Sequence, residues 1–154
     1  MYWKLKTTRG FTYPSSIYNI PVVLWKTTQE RLLGMARIKW YTPNAKADRI
    51  YIFENTFEKW IDYVYKVIRH EHSHFIYHRN FSKNIKEYWE NLSNFIPEYI
   101  TEYASTQPAE DFAELVWYSY YKNNNLELPS KCKWSKEIEF KYKIANNLLK
   151  SRLK

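Results

Sequence analysis

Hydrophobic and polar positions change their period along the chain. Three short segments near the N-terminus are rich in β-branched and aromatic residues and are flanked by turn-forming or polar residues, which is typical of strands. These segments are Ile20 to Trp25, Gly34 to Tyr41 and Arg49 to Glu54. We expect them to form a small antiparallel sheet, with a short helix from Thr27 to Leu33 between the first two.

After the third segment, apolar residues recur at spacings of three and four, which predicts helices. Asn55 or Thr56 can cap the first and longest of them. Its apolar positions are Phe57, Trp60, Ile61, Val64, Val67, Ile68 and Phe75. The helical pattern continues in three later segments, which are Ser82 to Glu102 with an interruption at Pro97, Ala109 to Lys122, and Ser135 to Leu153.

The start of the helix at Ala109 has its own signals. Thr106 or Gln107 can serve as its N-cap, and Pro108 suits the first turn. Glu110 and Asp111 then lie near the positive end of the helix dipole.

This order of elements predicts an α+β fold. With 154 residues, the chain is long enough for one domain with its own core. We divide it into a region consisting mainly of sheet (1–54), a central helical region (56–130) and a C-terminal helix (131–154).

The net charge of +8 is unevenly distributed. Residues 131–154 carry eight basic and two acidic side chains, so the rest of the chain is close to neutral. Between Glu87 and Tyr121 there are seven carboxylates and no Lys or Arg. An acidic centre is therefore followed by a basic C-terminal helix.

Composition excludes several classes of protein. Cys132 is the only cysteine, so the chain has no internal disulfide and no multi-cysteine zinc site. Residues 1–10 contain no apolar run typical of a secretory signal, and no segment is apolar enough to span a membrane. Two glycines are too few for a phosphate-binding loop. We expect a soluble protein, cytoplasmic by default.

The longest helical segment contains the motif H-E-x-x-H at His70, Glu71 and His74. Positions i and i+4 lie on one face of a helix, so both imidazoles can bind a single zinc ion at about 2.0 to 2.1 Å. Glu71 is then placed to take a proton from a water molecule at the metal. A random chain of this composition would contain the motif about once in a hundred, so further evidence is needed.

A catalytic zinc needs a third protein ligand. His78 is a poor candidate, because a straight helix moves it about 12 Å along the axis from His70. His72 projects from another face of the helix. The extended histidine pattern of the metzincins also fails, because Tyr77 and Asn80 replace its glycine and its last histidine.

A carboxylate from a later helix remains as the third ligand. The segment from Glu110 to Glu114 reads E-D-F-A-E and offers two carboxylates at i and i+4. With a tyrosine seven residues before the first of them, at Tyr103, this arrangement resembles the gluzincins. Within that group it is most similar to the lethal-factor and Pro-Pro endopeptidase families, and in size to the minigluzincins. The resemblance covers roughly residues 49–122.

The resemblance implies a role for each matching residue. His70, His74 and Glu110 would bind zinc, and Glu71 would act as general base and then as general acid. Tyr103 would donate a hydrogen bond to the oxyanion. Glu114 would accept the second N–H of a ligand imidazole.

Each of the other candidates also has a purely structural interpretation. Glu114 could be a solvated helix carboxylate, and Tyr103 a tyrosine of the core or its rim. His72 and His78 are interpreted as surface or capping histidines, and Cys132 as an inert thiol.

These observations predict a single-domain zinc metallopeptidase that cleaves a peptide or protein substrate. We expect Arg49 to Glu54 to pair with an extended peptide as an added strand, with Tyr51 and Phe53 lining subsites. Neither a nucleic acid nor a membrane is an expected partner. The rival is a basic, aromatic-rich module that binds nucleic acid or a protein partner, and a third hypothesis is a non-catalytic member of the same fold.

The basic C-terminal helix also leaves two interpretations open. As in the minigluzincins that the chain resembles in size, it could pack over or beside the cleft and limit access. Alternatively, its amphipathic pattern completes the core while its lysines face solvent.

Overall fold

The computed structural model describes most of the chain from the first strand onward. The described residues are 20, 22–25, 33–39, 45, 47–53, 56 and 61–151. They form three strands, β1 (Val22–Trp25), β2 (Gly34–Arg37) and β3 (Arg49–Phe53), and four α-helices, α1 (Ile61–Phe75), α2 (Lys83–Phe95), α3 (Pro108–Asn123) and α4 (Lys136–Ser151).

The fold is α+β, as predicted, but its sheet is mixed. The strand order is β1-β3-β2, so β3 is the central strand. β2 and β3 are antiparallel, as expected, whereas β1 and β3 are parallel, and for this pair the prediction was wrong. Residues 26–48 separate β1 from β3, which is long enough for the crossover that a parallel pair requires. The predicted helix from Thr27 to Leu33 lies outside the described residues, of which only Leu33 belongs to that segment.

Helix α1 lies at the centre of the molecule and contacts β2, β3 and α3. Among its predicted apolar positions, Val64, Val67, Ile68 and Phe75 are buried, as the period predicts. The side chains of Phe57, Trp60 and Ile61, like Asn55, lie outside the described part of the chain. The Thr56 hydroxyl donates a hydrogen bond to the Leu33 carbonyl at 2.6 Å, so Thr56 connects this region to the start of β2.

The next helices follow their predicted boundary signals. α1 continues directly into a π-helical turn, Ile76–Asn80. Ser82 then caps α2 by accepting the Ile85 N–H, and α2 ends at Phe95, just before Pro97. The prediction that the helical pattern resumes after Pro97 and continues to Glu102 is wrong, because residues 96–102 are not helical. α3 begins at Pro108, and the Gln107 carbonyl accepts the Asp111 N–H at 3.0 Å, which makes Gln107 the N-cap position.

Helix α4 docks on α3 and completes the core. Ile138, Ala145 and Leu149 are buried, and Lys141 is buried as well, in an ion pair with Asp111 at 2.6 Å. Of the two interpretations of this helix, the packing favours the structural one. Among the described residues, no helix combines the length and apolar character needed to cross a lipid bilayer.

Candidate metal centre

The two motif histidines meet on one face of α1, as their i, i+4 spacing predicts. Their Nε2 atoms are 3.2 Å apart. The His70 ring is buried, and the Trp117 ring packs edge-on against it. His74 is half-buried, so the pair lies between the core and an open cavity.

Glu110 completes the group from the first turn of α3. Its Oε2 atom is 3.1 Å from Nε2 of His70 and 3.4 Å from Nε2 of His74. One ligand atom from each of the three residues lies within 4.8 Å of the others, and this group could hold a metal ion.

The electrostatics of the group favour a cation. Burial alone would lower the pKa of His70, but its hydrogen bonds to Glu110 and Glu114 outweigh burial and raise that pKa to about 10. Burial alone would raise the pKa of Glu110, but hydrogen bonds from both histidines hold it well below its usual range. Both shifts favour a positive charge between these residues.

Glu114 supports His70 from one helical turn beyond Glu110. Its Oε1 atom lies 3.1 Å from Nδ1 of His70, the ring nitrogen that faces away from Glu110. Its Oε2 atom accepts the Thr101 hydroxyl at 2.6 Å. Because Glu114 is only 3% exposed, it is not a solvated helix carboxylate. It fixes the orientation of the imidazole in the way expected for a residue behind a metal ligand.

Glu71 occupies another part of the same cavity wall. It is 7% exposed, and its carboxylate accepts a hydrogen bond from the Ala36 N–H of β2. Burial raises the pKa of Glu71, although the charges of His70 and His74 oppose this shift. A buried carboxylate with a raised pKa beside a candidate metal centre is typical of a general base.

Tyr103 lies on a short 3₁₀ turn, Tyr103–Thr106, that contacts α3. Its side chain is exposed and reaches the cavity, where its hydroxyl donates a hydrogen bond to Glu110. Partial burial and the negative charge of Glu110 raise the pKa of Tyr103, so the Tyr103 hydroxyl keeps its proton at neutral pH. Of the two structural alternatives, core or rim, this exposure excludes the core and leaves the rim.

The cavity has a volume of about 340 Å³, and its opposite wall is β2. Gly34, Met35 and Ala36 line it, whereas Tyr51 and Phe53 do not. The expectation that β3 pairs with a peptide is wrong, because β1 and β2 already occupy both of its edges. Phe53 is also buried, with 3% of its surface exposed.

The other histidines differ from their predicted surroundings. His72 is buried with 2% exposure, and burial lowers its pKa to about 4, so it is not a surface residue. His78 lies outside the ligand group but lines the cavity, and its ring stacks on His74 with centroids 6.4 Å apart. Neither residue belongs to the described group that could hold a metal ion.

Sequence reasoning missed the contributions of Gly34, Ala36 and Thr101 to this site. A sequence signal existed for Gly34, because one of only two glycines in the chain lies inside a predicted strand, where glycine usually marks a close approach. Cys132 is not among the described residues that line the cavity, and burial raises its pKa. Its interpretation as an inert thiol stays a prediction.

The comparisons with known proteins add no relative. No protein-family model matches the chain, and neither the curated proteins nor the solved structures contain a match. The resemblance to gluzincins therefore depends on the motifs, their spacing and the geometry of the metal centre.

Proposed function

We propose that the protein is a zinc metallopeptidase that hydrolyses peptide bonds. The observation that carries the proposal is the convergence of His70, His74 and Glu110 in a cavity that also contains the Glu71 carboxylate. Two histidines and one carboxylate, with a further carboxylate free for proton transfer, are the donor set of a catalytic zinc site.

The distances between the donor atoms fit zinc. In tetrahedral coordination at 2.0 to 2.1 Å, neighbouring ligand atoms lie about 3.3 Å apart. The three separations in this protein are 3.1, 3.2 and 3.4 Å. Three protein ligands also leave a fourth position open, which distinguishes a catalytic zinc site from a structural one.

The residues around the site supply the remaining chemistry. A bound zinc ion would act as a Lewis acid toward water and the scissile carbonyl. Glu71 takes a proton from the attacking water and transfers it to the leaving amine. Tyr103 turns its hydroxyl from Glu110 toward the oxyanion that develops on the scissile carbonyl. Glu114 keeps the His70 ring in its ligating orientation.

Strand β2 supports a polypeptide as the substrate. Among the described strands, β2 lies at one edge of the sheet and pairs with β3 on its inner side. An extended peptide can add to such an edge as a further strand. Because β2 also lines the cavity, a peptide bound there would run past the metal centre and Glu71.

Replacing Glu71 tests this function. We expect Glu71→Gln to keep the fold and one zinc per chain but to lower kcat by at least about 10²-fold, because the general base is lost. Hydrolysis is measured on a library of internally quenched peptides and on denatured casein. Glu90→Gln makes the same chemical change at an exposed position of α2 and should have wild-type activity.

Two results would contradict the proposal. If the zinc-loaded wild type cleaves neither substrate, the protein is not a peptidase of broad specificity, and the non-catalytic and partner-binding hypotheses gain support. If Glu71→Gln hydrolyses peptides as fast as the wild type, the assigned mechanism is wrong.

A further inference from the structure

Strand β2 makes an unusually close approach to α1 at Gly34. A Cβ atom at this position would lie 2.5 Å from Cγ1 of Val67 and 3.0 Å from Oε1 of Glu71. It would also lie 3.2 Å from Cγ of Glu71. Any side chain at position 34 would therefore displace the Val67 side chain, the Glu71 side chain, the helix or the strand.

The same strand also holds the Glu71 carboxylate by a hydrogen bond. The Ala36 N–H donates to it, so β2 contacts Glu71 at two positions, residues 34 and 36. A glutamate side chain has three rotatable bonds and loses rotamer entropy when it is held in one position. Contact along its stem and a hydrogen bond at its head together restrict it to one orientation.

The start of β2 is itself firmly anchored. The Leu33 carbonyl accepts two hydrogen bonds, from the Phe53 N–H at 3.0 Å and from the Thr56 hydroxyl at 2.6 Å. Gly34 then pairs with the buried Ile52 of β3. Because the strand is anchored, an added Cβ at position 34 is more easily accommodated by moving the Val67 and Glu71 side chains than by moving β2.

We propose that Gly34 is a positioning residue for the general base. Its lack of a side chain lets β2 lie directly against Glu71 and hold the carboxylate beside the metal ligands. The inference rests on the proposed peptidase function. It also implies that the strand proposed to bind the peptide is the strand that orients the base, so substrate binding and base geometry depend on one element.

Gly34→Ala tests the proposal directly. We expect kcat to fall by at most about 10²-fold, the loss that a displacement of about 1 Å can cause. The Cβ contacts of 3.0 and 3.2 Å require the Glu71 side chain to shift by only a few tenths of an ångström. KM should change little, because the backbone edge of β2 is unchanged, and zinc content should stay at one per chain. A fall in kcat that is matched by loss of zinc would overturn the proposal.

Val67 provides the control that separates positioning from packing. In Gly34→Ala/Val67→Ala, the contact of 2.5 Å with Cγ1 disappears, but both contacts with Glu71 remain. We expect this double variant to regain part of the stability that Gly34→Ala loses, while kcat stays low. Val67→Ala alone should lower stability through its cavity and leave kcat near the wild-type value. If kcat recovers together with stability, or if neither Gly34 variant folds with zinc present, Gly34 serves packing alone and the proposal is wrong.

A structural measurement separates this inference from the proposed function. If the wild type has no peptidase activity, the proposed function fails, but crystal structures of the wild type and the double variant still report the position of Glu71. We expect its carboxylate to leave the Ala36 N–H in the variant. An unchanged carboxylate would overturn the positioning role.

Discussion

Glu110 and Asp111 are neighbours in the first turn of α3, yet they belong to two different clusters of charge. Asp111 is fully buried and pairs with Lys141 of α4 at 2.6 Å. Glu110 faces the cavity and lies between two imidazoles. Adjacent carboxylates on one helix are therefore used in one case for structure and in the other for a candidate metal centre.

The Asp111 cluster contains its own cation. Ser93 donates a hydrogen bond to Asp111 at 2.8 Å, and the Lys141 ammonium donates to the Glu98 carbonyl at 2.9 Å. The ammonium also lies 4.5 Å from the centre of the Tyr99 ring. Burial raises the pKa of Asp111, but Lys141 and Ser93 oppose that shift. The ion pair neutralises Asp111 through its Oδ2 atom and ties α4 to α3. Its Oδ1 atom is buried and has no hydrogen-bond partner in the described part of the chain.

The Glu110 cluster lacks a permanent cation. Its neighbours are imidazoles, which are positively charged only when they bind a proton. A buried carboxylate paired with lysine has its counter-charge within the chain, whereas one paired with histidines is suited to an external cation. The Lys141 ion pair also supports the helix that carries Glu110, because it is made at the very next residue.

The largest expected difference between the two clusters is in metal binding. Glu110→Gln should remove the stoichiometric zinc, because two histidines alone are an incomplete catalytic set. Elemental analysis after dialysis should find about one zinc per wild-type chain and almost none in the variant. A folded Glu110→Gln variant that retains one zinc would show that Glu110 is not the third ligand.

Asp111→Asn should affect stability instead. Removing one member of a buried ion pair leaves Lys141 with an uncompensated charge, so we expect a loss of about 3 to 5 kcal/mol in the free energy of unfolding. Urea denaturation of the metal-free protein measures this loss. The additional change Lys141→Met removes the orphaned charge and should restore most of the stability. Failure of this rescue, or loss of zinc from the folded Asp111→Asn variant, would mean that the two clusters are not independent.

Glu114→Gln should have the smallest effect. Glu114 touches His70 rather than the metal position, and loss of such support typically lowers metal affinity by about 10- to 100-fold. Competition with a fluorescent zinc chelator measures the change. Glu102→Gln provides an exposed control next to Tyr103, with the wild-type affinity expected. An unchanged affinity in Glu114→Gln would remove its supporting role and leave Glu114 as a buried partner of Thr101.

The sequence by itself determined the features that depend on local geometry. His70 and His74 converge because any α-helix brings positions i and i+4 to one face. α3 begins at Pro108 because proline suits the first turn of a helix. The apolar period predicted which side of α1 is buried, and the α+β class followed from the order of the elements. Each of these depends on residues only a few positions apart.

Only the tertiary structure decided which distant residues meet. The order of the strands depends on which distant segments pair. Spacing along the sequence therefore did not show that β3 is central and that β2 borders the cavity. The contact of Gly34 with Glu71 and the ion pair of Asp111 with Lys141 join residues 37 and 30 positions apart in the chain. Periodicity predicts which face of an element is buried, but the packing of several elements selects the partner, because many partners would satisfy the same pattern.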